Sequence, residues 1–186
     1  MKKICLALLM GLCVLLSSCN KVDRYYLKGV DKEMIPYQLG DTVCFFDDNG
    51  SPITLAVTNI EDVWDVEDDA KSEIWRQIRY VQLQQKRGDL GLTFQIWGLS
   101  YNGVNNRPLT IRATPPLIST TMLYDLSGNF KRIKVYDTLL IGNQEYYDVA
   151  EQRELYKNDT QQLLYNKAYG VLQMKSNDKI VLRRIP

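Results

Sequence analysis

A chain of 186 residues with 45% hydrophobic and 24% charged side chains has ordinary globular composition and the length of one domain. Its 23 Lys and Arg against 22 Asp and Glu leave a formal charge of +1, so no electrostatic surplus draws it toward nucleic acid. Histidine is absent, which excludes Ser-His-Asp and Cys-His nucleophile activation, His general-base chemistry and His-ligated metal sites.

The first element is an address. Lys2 and Lys3 precede the uncharged, mostly apolar run Ile4 to Leu16, which has the length of a secretory h-region and falls short of the ~20 residues that span a bilayer. Leu16-Ser17-Ser18-Cys19 then resembles the bacterial lipobox. That resemblance implies cleavage between Ser18 and Cys19 and a diacylglyceryl group on the Cys19 thiol. The alternatives are an ordinary signal peptide with an incidental cysteine, or a buried N-terminal helix. Several acyl chains on one cysteine hold a protein permanently, where a single chain does not. The expected organisation is therefore a signal peptide at 1–18, a lipidated cysteine with tether and lead-in at 19–40, and a folded domain at 41–186. Asn20 follows the cysteine where an inner-membrane retention signal would place Asp, so the expected location is the cell envelope, at the outer membrane.

Asn20 to Tyr37 reads as polar and irregular. From Asp41 onward, apolar residues alternate with polar ones between turn residues, the mark of antiparallel strands. Val43–Phe46 and Ile53–Thr58 flank Asp48-Asn49-Gly50 as a first hairpin. Arg76–Gln85 and Leu90–Trp97 flank a turn at 86–89, with helix an open alternative for Ala70–Gln85, where Ile74, Ile78 and Val81 recur at helical spacing. Leu109–Ala113, Thr121–Leu126, Phe130–Tyr136, Leu139–Ile141, Glu145–Val149, Leu163–Tyr165, Gly170–Met174 and Ile180–Ile185 complete the strands; Glu151–Tyr156 reads as loop or one helical turn. The fold class expected is mainly β: a single antiparallel domain with a curved sheet, half-barrel or sandwich, and little helix.

Asp137-Thr-Leu-Leu-Ile-Gly-Asn-Gln-Glu-Tyr-Tyr-Asp-Val149, followed by Leu164 to Leu172, resembles a pattern of small envelope lipoproteins of Bacteroidetes-type bacteria. Gln144 stands where that family often has Lys, and Ala168 where it often has Glu. The resemblance implies a curved sheet such as lipoprotein carriers have, and brings no catalytic residue with it.

Once Cys5 and Cys13 leave with the signal and Cys19 carries lipid, Cys44 has no intrachain partner. Its setting in Thr42-Val43-Cys44-Phe45-Phe46 reads as a small buried hydrophobe, slow toward thiol reagents. The acidic stretch Glu61, Asp62, Asp65, Glu67, Asp68, Asp69, Glu73 reads as a solvated surface loop, with a cation-binding loop as the sharper alternative. No metal site and no cofactor is expected. Trp64, Trp75 and Trp97 with twelve Tyr either pair across strands or form a platform for sugars, and Tyr25-Tyr26 are expected exposed.

Asp41-Thr42-Val43 and Asp137-Thr138-Leu139 resemble the O-glycosylation tripeptide of such bacteria, which makes Thr42 and Thr138 candidate modification sites. The function expected is a membrane-anchored, non-enzymatic binding or accessory module, whose ligand is glycan, protein or lipid. A carrier holding an acyl chain in a half-barrel cavity and a small carboxylate-dependent hydrolase are the alternatives.

Overall fold

The computed structural model describes residues 21–69, 72–98, 107–115, 118–156 and 159–185. Ser18, Cys19 and the signal segment lie outside these residues, as do Ala70 and Lys71. The described chain is nearly all antiparallel strand, 71% against 3% helix, in one near-closed, barrel-like curved sheet.

Turn chemistry sets the hairpins. β1 is Lys21–Tyr25, α1 Gly29–Glu33, β2 Thr42–Phe46 and β3 Pro52–Asp69. Between β2 and β3, Asp47 Oδ1 accepts from the backbone N–H groups of Asn49 at 2.9 Å and Ser51 at 2.7 Å, while Gly50 takes φ 76°. β4 is Ser72–Gln85, β5 Gly91–Trp97, β6 Arg107–Thr114, β7 Ile118–Tyr124 and β8 Phe130–Lys131. The β7–β8 turn repeats the first device, with Asp125 Oδ1 accepting from Ser127 and Asn129 and Gly128 at φ 79°. β9 is Lys134–Ile141, β10 Gln144–Tyr156, β11 Asp159–Asn166, β12 Gly170–Ser176 and β13 Lys179–Arg184. The strands lie in the order β8-β7-β6-β5-β4-β3-β2-β13-β12-β11-β10-β9, and β1 joins β4 in parallel.

Alternation decides which side chains are buried. Phe45, Leu55, Leu83, Phe94, Ile111, Met122, Tyr165 and Met174 meet in the interior. At the far end of the sheet, the β9–β10 hairpin adds an outer layer: Ile141, Tyr146 and Val149 pack on Leu164 and Leu172. The exposed edge of β7 is met by side chains from across the barrel, Gln161 accepting from Ser119 N at 3.1 Å and Glu154 from Thr121 N at 3.2 Å.

Four expectations are corrected. The lead-in is no free tether from Lys21 onward, because β1 pairs with β4 and α1 sinks Asp31, Met34 and Ile35 into the interior. Glu151–Tyr156 continues strand β10, paired residue by residue with β11. The acidic stretch is strand, since Val63 and Ile78, Asp62 and Arg79, and Asp65 and Arg76 face each other in register. Cys44 is exposed, its Sγ 3.6 Å from Thr54 Oγ1, because Val43 and Phe45 take the inward places and the residue between them must point out. Ser72–Gln85 is strand throughout, which closes the helix alternative over those residues.

Candidate functional site

Three places carry polar or aromatic groups in arrangements beyond simple core packing. The first is the seat of α1. Asp31 is fully buried, and its carboxylate accepts from Arg107 Nη1 at 2.8 Å, from the Tyr124 hydroxyl at 2.9 Å and from Lys28 N at 2.5 Å. Burial first, then the facing Asp31 charge, push the Tyr124 hydroxyl far above its ordinary value. The Tyr165 hydroxyl donates to the Met34 carbonyl, and Tyr37 accepts from Val171 N at 3.0 Å. Every contact ties the N-terminal segment into the barrel, so this charged cluster is structural.

The second is a polar groove between β9, β10 and β11. Glu151, buried on β10, accepts from Tyr136 at 2.6 Å, Arg153 Nε at 2.6 Å and Gln162 at 2.5 Å. Burial alone would raise its carboxyl, but those hydrogen bonds and the Arg153 charge outweigh it and hold the group below its ordinary value. Beside this network lies a hollow of ≈ 460 Å³ bounded by Arg132, Lys134, Tyr136 and Arg153, with the Lys134 ammonium 4.2 Å from the Tyr136 ring centre. A second hollow of ≈ 270 Å³ reaches from Glu151 to Gln173 and Lys175. The walls present planar polar groups already held in place, with several cations around one neutralised carboxylate. Such an arrangement can accept hydrogen-bonding ligands.

The third is an arm. β3 and β4 run on past the ends of their outer neighbours: β2 pairs β3 through Ala56, and β5 reaches β4 at Ile78. The remaining ribbon is flanked by β1. On its inner face Tyr26 meets Trp64 edge to face, centroids 5.2 Å apart at 88°, and Trp64 meets Trp75 at 6.2 Å and 66°. The Arg24 guanidinium lies 5.8 Å from the Trp75 ring centre. Trp97 sits on the other face, opposite Ile78, with Arg76 5.4 Å from its ring centre. The three tryptophans therefore form no common platform, and the rings that do meet stand nearly perpendicular. Three acids of this region are paired: Asp62 with Arg79 at 2.7 Å and Lys32 at 3.4 Å, Asp65 and Glu67 with Arg76.

Thr42 and Thr138 are both exposed, while Val43 is buried and Leu139 half-buried beside them; Thr42 begins β2, whereas Thr138 lies in the middle of β9, paired with Tyr147, and not at a strand start. Tyr26 is exposed as expected and Tyr25 is half-buried. No cluster of three or more His, Cys, Asp or Glu that could hold a metal occurs among the described residues. Asp31 and Glu151 had no signal in the sequence, since neither lies in a motif; Asp31 meets Arg107 and Tyr124 from strands far along the chain, and Glu151 meets Tyr136 and Gln162 from the two strands that flank its own. Compared with protein-family models, curated proteins and solved structures, the chain matches none.

Proposed function

We propose that this protein is a lipid-anchored, non-enzymatic module of the cell envelope, tethered through Cys19 and binding a polar ligand on its outer groove. The observation that carries the binding half is the Tyr136–Glu151–Arg153–Gln162 network, a buried carboxylate with every partner in place beside an open hollow. Preformed hydrogen-bonding walls reduce the ordering cost of capturing a ligand. A hydrolase using carboxylates needs one acid kept protonated near a second; Glu151 is held low and Asp31 is neutralised by Arg107, which favours binding over catalysis. The carrier reading needs an apolar hollow, and the interior around Phe45, Phe94 and Tyr165 is filled, with Met34 from the α1 segment among them.

Two measurements test the reading. Wild-type protein incorporates labelled palmitate and partitions into detergent, and Cys19→Ala does neither; unchanged labelling of the variant refutes the anchor. Native mass spectrometry of the protein from its own host shows a bound polar ligand that Arg153→Ala and Gln162→Ala release. Retention of the same ligand by both variants refutes the groove.

A further inference from the structure

We infer that the β3–β4 arm lies on the phospholipid bilayer through its inner face, so that the anchor and the arm together fix how the body stands on the membrane. The inference deepens the anchored reading above and rests on it.

β1 begins at Lys21 and pairs Lys21 with Ser72, the first residue of β4, so it starts at the arm's tip. Cys19 is two residues upstream, within ~7 Å at the reach of an extended chain. A lipid on Cys19 therefore holds the arm's tip at the bilayer surface, and the arm's length is what can lie along that surface. From Ser72 to Ile78, where β5 joins, that is ~20 Å of strand.

The arm's exposed large apolar side chains fall on one side. Register places Val22, Arg24, Val66, Trp75, Trp64 and Tyr26 on the inner side. Of these, Val22 is 46% exposed, Tyr26 55%, Trp64 42% and Val66 44%, a cluster of large apolar side chains left in solvent on one ribbon. The same side also holds Glu73, Gln77 and the Asp62–Arg79 pair, and the opposite side carries Glu61, Asp65, Glu67 and Arg76 together with Val63, Ile74 and Ile78, which are half-buried or buried. The exposed large apolar side chains of the arm therefore all lie on its inner side, and Trp and Tyr concentrate at the headgroup level because their rings are apolar with one polar edge. The perpendicular packing of Tyr26, Trp64 and Trp75 makes a wedge, where a stacked sugar needs an open ring face. Glu73 stands beside Val22 near the tip, so attraction to anionic lipid is no part of the contact.

The test uses the full lipidated chain carrying Trp97→Phe, so that emission comes from Trp64 and Trp75, in phosphatidylcholine vesicles whose acyl chains carry bromine at shallow or deep carbons. Intact mass establishes whether Cys19 is lipidated. The inference expects blue-shifted emission, stronger quenching by shallow bromine than deep, and loss of acrylamide quenching relative to detergent-free solution. A lipidated protein whose tryptophans stay open to acrylamide and untouched by bromine overturns the inference and leaves the anchor standing. A protein without lipid on Cys19 overturns the anchored reading; the face is then decided with Cys19→Ala chain added to the same vesicles. That chain is expected to partition weakly, equally at low and high salt, and about tenfold less with Trp64→Ser and Val66→Ser. Partition that the double substitution does not change, or that only anionic lipid supports, overturns the inference.

Discussion

Asp31 shows what a single side chain can hold. Its carboxylate is the meeting point of Arg107, Tyr124 and the Lys28 amide, and removing it leaves the Arg107 guanidinium buried without its counter-charge. Asp31→Ala is expected to lower stability by ~3–5 kcal/mol in urea unfolding, because a broken buried pair costs more than the pair contributes. Cys44 makes the opposite case. It lies on the outer side of β2, so native protein is expected to react with a thiol reagent about as fast as denatured protein. Asp125 gives the pH dependence a named source. Hydrogen bonding from Lys131 and from the Asn129 and Ser127 amides holds its carboxyl at about 2, below its ordinary 3.8. A depressed folded-state value means the stabilisation is complete above 3.8 and disappears as pH falls toward 2. Acid unfolding of Asp125→Asn is expected to show a shallower loss over that interval. At Thr42 and Thr138, whose side chains are exposed, intact mass from the native host is expected to exceed that of the Thr42→Ala, Thr138→Ala double variant by the mass of a glycan.

Elements are fixed by where turns permit a reversal and what a neighbouring strand requires. The β11–β12 turn needs Gly170, at φ 78°, and an added Cβ there would collide with the Tyr37 ring and hydroxyl. Gly170→Ala is expected to cost roughly 1–3 kcal/mol from the backbone alone, and more from displacing Tyr37, measured by thermal unfolding. The hairpins at 47–51 and 125–129 were legible because Asp, Asn, Ser and Gly at fixed offsets have a turn-forming mechanism. The β3–β4 arm was not. Its acids look like a solvated loop until the register sets Asp62 against Arg79 and Asp65 against Arg76, when opposite charges on facing strands become favourable cross-strand pairs.

On the scale of the whole molecule, the N-terminal segment is part of the core. Met34, Ile35 and Tyr37 fill the barrel, so a chain beginning at residue 39 is expected to lose cooperative unfolding and bind a hydrophobic dye, while one beginning at residue 21 keeps both properties native. The sequence by itself determined the strand-and-turn plan, the mainly β class and the exposed threonines, because period-2 alternation and turn residues act over a few neighbours. The order of strands, the seat of α1, the groove at Glu151 and the gathering of exposed rings on one side of the β3–β4 arm were decided by tertiary structure alone. The seat of α1 depends on partners dozens of residues away, Asp31 with Arg107 and Tyr124, and the groove, though its partners lie within 15 residues, needs the register of β9, β10 and β11; local spacing carries no trace of which strand a curved sheet will bring opposite another.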